Sequence, residues 1–290
     1  MGEGRTENEK SEKSKKNQQK NESAMGPMMQ KNQNKWNADD YARNSSAQEA
    51  WATELISKLN LKGHEQVLDI GCGDGRITGR IARQLTSGLV VGIDQSQSMI
   101  ERASRLKRSN LSFRLMDVSL LCLGQKFDIA YSNAALHWVK DHQTVLQQVR
   151  KHLKSDGRIL FQMGGYGNAY DMARIVESVI TLKQWSDYFQ GFHFPYYFYQ
   201  VHDYEQWLPA TGFEISRIEL IPKDMVHDNP DKLKGWLRTT WFPYTDRIPE
   251  AGRESFIAQL TDVYLSEHPV DVNGRTHVRM VRLEVEARRG

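Results

Sequence analysis

Cysteine is scarce in this chain of 290 residues: only Cys72 and Cys122 occur, too few for a disulfide framework or a four-ligand zinc site. Long apolar runs are missing too, so no segment reaches the ~18 residues expected of a membrane-spanning helix. The opening residues, rich in Lys, Glu, Asn and Gln, lack the apolar stretch of a secretory signal. Met1-Gly2 with Thr6 has the outline of an N-acylation template, yet Glu3 and Arg5 load it with charge, and a single acyl chain holds a bilayer only marginally. The expectation is a cytoplasmic protein without stable membrane association. A large charge of one sign is also absent: 39 Lys+Arg stand against 36 Asp+Glu. Residues 1–35 hold eight basic and five acidic residues of that total, which leaves 31 of each in the rest. Net charge therefore gives a nucleic-acid partner no support. His193 and His202 are nine apart with no Cys or carboxylate pattern around them, so no metal site is expected.

What is present is material for a core, with 39% hydrophobic and 10% aromatic residues. Residues 1–35 contain no aromatic residue, cannot bury enough surface to offset chain entropy, and are expected to be a disordered polar tail. Beyond Trp36, Ser45 or Ser46 can cap a helix carrying Ala50, Trp51, Leu55 and Leu59 until Gly63 stops it. Strands are then expected at Gln66–Ile70, Leu89–Asp94, Leu111–Met116, Phe127–Ser132 and Arg158–Met163. Helices fall between them after Gly75, at Ser96–Leu106 and at His142–Leu153, and a turn at Ser155-Asp156-Gly157 precedes the last strand. This alternation predicts an α/β, Rossmann-like, doubly wound and mostly parallel sheet over residues 36–163. Residues 164–290 loosen into a helix (Ala169–Thr181), an aromatic stretch (Phe189–Tyr204) with the look of a cap, and a later helix (Pro249–Glu267). Glu214–Ile221 and His277–Ala287 alternate as strands do, and would close the same sheet with an antiparallel edge.

The sharpest motif is Asp69-Ile70-Gly71-Cys72-Gly73-Asp74-Gly75. Leaving a strand and opening a helix, such a loop lets bare backbone approach a ligand where a Cβ would obstruct it. Asp94, 19 residues after Gly75 and ending the next strand, suits two ribose hydroxyls. A dinucleotide fingerprint would need Gly where Arg76 stands. The leading carboxylate of Asp69 would repel a pyrophosphate but attract a cation such as the amino group and sulfonium of S-adenosylmethionine.

With these residues the chain resembles the class I S-adenosylmethionine-dependent methyltransferases, whose signature is acidic-x-Gly-x-Gly-x-Gly. Asp94, Met116-Asp117 and the run Phe127 to Trp138 match further elements of that family in order. Trp36-Asn37 with Tyr41, Asp141-His142, Trp236-Leu237 with Thr239 and Pro243, Asn273-Gly274, Arg282-Leu283 and Ala287-Arg288-Arg289 are similar to the bacterial trans-aconitate methyltransferases. The resemblance implies S-adenosylmethionine contacts at Tyr41, Gln48, Asp69, Gly71, Cys72, Gly73, Gly75, Asp94, Gln95, Met99, Asp117, Val118, Asn133, Ala134 and His137. It implies a small-molecule carboxylate as methyl acceptor, and His137, Trp138 and Arg238 as the residues that position it. The segment Tyr166 to Tyr204 departs from the family in its length and aromatic content.

Transfer from a sulfonium is an in-line displacement, so alignment in a dry pocket is the main demand on the protein. A carboxylate nucleophile is already ionised at neutral pH and needs no base, only cationic or hydrogen-bonding groups to hold it. Arg238, Arg279 and Arg282 are candidates for that grip, and Tyr166, Tyr196, Tyr197, Phe198 and Trp241 for the cavity wall. Cys72 and Cys122 read as small apolar fillers. Carbon, amine or hydroxyl methylation of a larger apolar substrate, with His137 as base, is the alternative, and a catalytically silent cofactor-binding module is a third reading.

Overall fold

The computed structural model describes residues 46–290, with side chains from residue 50 onward. The polar tail, Trp36 and Tyr41 lie outside the described residues. Helix α1 (Ser46–Lys58) leads into strand β1 (Gln66–Ile70), helix α2 (Arg76–Gln84), β2 (Leu89–Asp94), α3 (Gln97–Ala103), β3 (Leu111–Leu115) and β4 (Phe127–Asn133). Then come α4 (His142–His152), β5 (Leu153–Gly164), α5 (Tyr170–Ile180), α6 (Val201–Ala210) and β6 (Phe213–His227). Helices α7 (Pro230–Thr240), α8 (Phe242–Thr245) and α9 (Glu250–Glu267) precede β7 (Thr276–Arg289). The described residues form one compact unit.

The seven strands order as β3-β2-β1-β4-β5-β7-β6. β1 to β5 are parallel, and β7 enters antiparallel between β5 and β6. The expected mostly parallel sheet with its antiparallel end is therefore observed. β1 and β4 are neighbours although β2 and β3 lie between them in sequence, so the chain reverses its direction of growth there. A crevice opens at such a reversal, outside the carboxyl ends of the strands. The sequence explains why β1 sits centrally: Val67, Leu68, Asp69 and Ile70 are all buried, as a parallel strand covered on both faces requires. Leu55, Leu59, Val67, Ile81, Val90 and Leu160 fill one face, and Leu68, Val91, Leu146, Phe161 and Val285 the other. Each such buried aliphatic side chain stabilises by ~1.5–3 kcal/mol.

The long β6–β7 ladder continues past the end of β5, from Pro222↔Val281 to His227↔Thr276. Met225, Val278 and Met280 on this overhang pack with α5, α7 and α9 and with Phe189 and Tyr196 into a third cluster. Phe189, Tyr196 and Phe198 of the aromatic stretch join this cluster, whereas Tyr199 and Tyr204, also expected in the cap, pack with the core on one face of the sheet. An ionic cluster ties α1 to the sheet below: the fully buried Glu284 carboxylate accepts from Lys58 at 2.8 Å, from Gln162 at 2.9 Å and from Arg217.

Four local expectations need correction. The turn at Ser155-Asp156-Gly157 lies inside β5, where pairing jumps from Phe127↔Leu153 to Ile129↔Arg158, so the extra residues loop out as a bulge and do not separate helix from strand. The helix expected to run to Leu106 stops at Ala103. β6 does not end before Pro222, because an edge strand can turn a missing N–H away from its single neighbour. Cys122 is exposed and so fills no gap in the core.

Candidate functional site

The glycine loop follows β1 directly and sits on the crevice. Gly71, Gly73 and Gly75 all hold left-handed backbone, with φ of 72°, 54° and 79°. Each needs glycine for a different reason. A Cβ on Gly71 would lie 2.1 Å from the Cβ of Ala135, and one on Gly75 would lie 2.6 Å from the ring of Phe113. A Cβ on Gly73 would meet nothing within 4 Å. Two glycines therefore permit packing beneath the loop, while the middle one keeps a space in front of it clear. That open space is a cradle that leaves the loop backbone accessible to a ligand, and a Cβ on Gly73 would project into it.

Two carboxylates surround the loop. Asp69 is 2% exposed and accepts a hydrogen bond from the Thr78 hydroxyl at 2.7 Å. Burial pushes its carboxyl up to about 7 against the opposing pull of Thr78, and the nearby charge of Asp94 adds to the rise. Asp94, at the carboxyl end of β2, accepts from the Gly73 amide at 3.0 Å and the Ser96 amide at 2.8 Å. Burial raises its pKa too, against those two amides. Both acids are held in surroundings that disfavour their charge and would be relieved by a cation. These two acceptors fit S-adenosylmethionine, whose methionyl end is cationic and whose ribose offers two hydroxyls to donate.

The remaining residues expected around a cofactor occupy the same edge. Asp117 follows β3 and accepts from the Ser119 amide at 2.9 Å and the Ser119 hydroxyl at 2.7 Å, with the buried Val118 next to it. Asn133 ends β4, and Ala134 beyond it adopts φ 55°, an uncommon conformation for a residue with a Cβ. Met99 is buried on α3, and Gln95 is exposed at the tip of β2. The Cys72 side chain is buried under the loop, in the position where a Cβ on Gly92 would approach its sulfur to 3.0 Å. Only its backbone borders the cradle. Gln48 falls in α1, ahead of the described side chains, and Tyr41 lies outside the described residues.

His137 lies in the short turn after β4, beside the last residue of β5. Its Nδ1 accepts a long hydrogen bond of 3.5 Å from the Gly164 amide, and Gly164 pairs with Arg282 across the β5–β7 ladder. Burial, then the positive charge of Arg282, pushes the His137 imidazole down to about 3. Arg282 is 4% exposed, with its guanidinium 5.6 Å from the Trp51 ring centroid on α1. Trp138, Tyr196 and Phe198 lie 5.7, 5.9 and 6.1 Å from the imidazole, ring to ring, and Phe242 stacks on Trp138 at 5.3 Å. His142 braces the turn from beneath. Its Nε2–H donates to the Leu136 carbonyl at 2.9 Å, so its Nδ1 is the acceptor of the 2.7 Å bond from the Tyr204 hydroxyl.

The other expected residues separate. Arg238 is engaged in a two-point pair with Glu254 on α9, and the exposed Arg279 lies 3.4 Å from Asp171. Tyr166 is 61% exposed, and Trp241 is buried against Tyr196 in the cap. The sequence favoured Arg238 among three candidate arginines; of the two on β7, parity puts Arg282 on the buried face with Val278 and Met280 and leaves Arg279 off it. Trp51 and Phe242 were not anticipated at the site, and no local motif marks them.

Residues 61–207 match a family model described as a methyltransferase domain. An uncharacterized methyltransferase of Schizosaccharomyces pombe is 31% identical over 215 residues, covering 70% of this chain and 79% of that protein. The trans-aconitate 2-methyltransferase of Agrobacterium fabrum is 27% identical over 258 residues, 87% of this chain and 98% of its own. Among solved structures, a mycolic acid cyclopropane synthase complexed with SAH and CTAB superposes with a TM-score of 0.55 at 15% identity, over 84% of this chain and 85% of that one.

Proposed function

Since the chain belongs to the class I S-adenosylmethionine-dependent methyltransferases, we propose that it methylates a carboxylate oxygen of a small organic acid. The reading rests on one observation: the buried Arg282 stands beside a His137 that is held neutral. A guanidinium fork matches a carboxylate and would fix it without removing its charge. An imidazole whose conjugate acid has a pKa of about 3 is a poor proton acceptor near neutral pH. A hydroxyl or amine acceptor would need a better one, whereas a carboxylate needs none. With Nδ1 accepting from Gly164, the neutral ring carries its proton on Nε2 and serves as a second donor to the acid. The trans-aconitate methyltransferase relatives are consistent with this substrate class.

When bound, S-adenosylmethionine supplies an electrophilic methyl group. Around it Asp94 would hold the ribose, Asp69 would answer the cationic end through the loop, and the backbone of Gly71, Gly73 and Asn133 would line the methionyl arm. Asp117 and Val118 would border the adenine. Trp138, Tyr196, Phe198 and Phe242 exclude water from the acceptor side, which strengthens the Arg282 interaction. That aromatic wall also favours a second reading, transfer to carbon, nitrogen or hydroxyl on a larger apolar molecule. Steady-state kinetics of Arg282→Gln on a panel of small di- and tricarboxylic acids separates the two. Carboxylate methylation predicts a KM for the acid raised about 10–100-fold, the worth of a lost charge-assisted bond, with cofactor affinity unchanged. Full activity of the variant would refute it.

A further inference from the structure

The neutral charge of the chain beyond its tail conceals a strong local imbalance. Residues 76–114 hold eight Arg and Lys against two carboxylates, Asp94 and Glu101. Asp94 belongs to the cofactor edge, and Glu101 accepts from Gln97 at 2.8 Å on α3. The cations cluster along a groove between α2 and the turn that joins α3 to β3. Arg76, Arg80 and Arg83 fall at successive turns of α2 and line one wall, and Lys107 and Arg108 line the other. No carboxylate is among the described residues lining it, nor among those lining the lobe that adjoins it through the shared Lys107 and Arg108. Ser104, Ser109 and Ser112 add hydroxyl groups to that second lobe. The two lobes measure about 430 and 460 Å³.

Ordinary surface cations are matched by acids close by, and this chain does so elsewhere, as in Arg238–Glu254 and Arg174–Glu267. Here Arg76 is paired with Asp74 at 2.8 Å and Arg80 donates to the Thr53 hydroxyl at 2.7 Å, while Arg83, Lys107 and Arg108 are exposed and make no ion pair among the described residues. Between the walls the surface is apolar, formed by Leu106 and Leu111 with the Phe113 ring at one end. Gly79 on α2 brings the two walls together: a Cβ there would touch Leu106 at 3.6 Å. Several guanidinium forks, an ammonium and hydroxyl donors converging on one recess suit a group with many acceptor oxygens and more than one negative charge. The recess has the size of a small-ligand site.

We propose that this groove binds a small phosphorylated molecule, with its phosphate groups between α2 and the Lys107–Arg108 turn and its apolar part on Leu106, Leu111 and Phe113. The site is separate from the cofactor cradle, although Phe113 packs beneath Gly75 of the loop. Inorganic tripolyphosphate, titrated calorimetrically into the full chain at about 50 mM salt, where exposed charges are weakly screened, tests the assignment. Saturable one-to-one binding is expected, at least about tenfold weaker in R83Q/K107Q/R108Q, which removes charge-assisted contacts to the ligand but no ion pair among the described residues. Asp94→Asn, at the cofactor edge, should leave tripolyphosphate binding unaltered, and the triple variant should bind S-adenosylhomocysteine as the parent does. Absent binding, equal binding by parent and triple variant, or loss in Asp94→Asn would overturn the proposal. So would attachment to phosphatidylserine vesicles or to an oligonucleotide in place of tripolyphosphate.

Discussion

The buried Asp69 makes cofactor affinity depend on pH in a direction the structure dictates. Its carboxyl, 2% exposed and bonded to Thr78 at 2.7 Å, is raised from an ordinary 3.8 to about 7, chiefly by burial, with the charge of Asp94 contributing and the Thr78 bond opposing. In the ligand-free fold the ionised form is disfavoured, so this group lowers stability progressively as pH rises from about 4 through 7. A cationic ligand reverses the preference by stabilising the carboxylate. At pH 6, one unit below that pKa, roughly a tenth of the ligand-free protein carries the charge, so affinity is roughly tenfold below its alkaline plateau. Calorimetric titration of S-adenosylmethionine between pH 5.5 and 8.5, on the parent and on Asp69→Asn, measures this directly. Asparagine keeps an acceptor for Thr78 and has no charge to titrate, so its affinity should lie below the parent's plateau and vary less with pH. Identical pH dependence in both proteins would refute the role given to Asp69.

Other perturbations of the loop have distinct signatures. Asp94→Asn removes the charge that accepts from Gly73 and Ser96 and should weaken S-adenosylhomocysteine binding by ~1–3 kcal/mol; an unchanged dissociation constant would remove it from the site. Gly73→Ala places a Cβ where nothing lies within 4 Å, so its cost to folding is confined to the left-handed backbone, ~1–2 kcal/mol, while cofactor binding is lost. Gly71→Ala drives a Cβ to 2.1 Å from Ala135 and should instead lower the melting temperature severely. Equal thermal shifts for these two variants would contradict the distinction between cradle and packing glycines.

Much of the molecule was legible in the sequence because its parallel half follows local rules. Strands β1 and β2 have the bounds that their apolar runs predict, and the glycine loop falls between strand and helix as the motif requires. The second half depends on tertiary context. Helix α7 went unread although Asn229 caps it by accepting from the Lys232 amide at 3.0 Å and Pro230 occupies its first turn. The strand expected to end at Ile221 continues through Pro222, which the position of β6 at the sheet edge tolerates. Arg238 and Arg282 look alike as letters; one is held by Glu254 and the other is buried beside Trp51 and His137. That difference arises from the β5–β7 pairing, a contact between segments more than a hundred residues apart.

The central claim is the chemical identity of the methylated atom. Incubation with S-adenosylmethionine labelled in the methyl group and a panel of di- and tricarboxylic acids, followed by mild alkaline hydrolysis, reads it from the product. A carboxylate acceptor beside Arg282 predicts label released as methanol from a base-labile ester. Label retained through alkali on carbon, nitrogen or an ether oxygen, or transfer to none of the acids, would contradict the account.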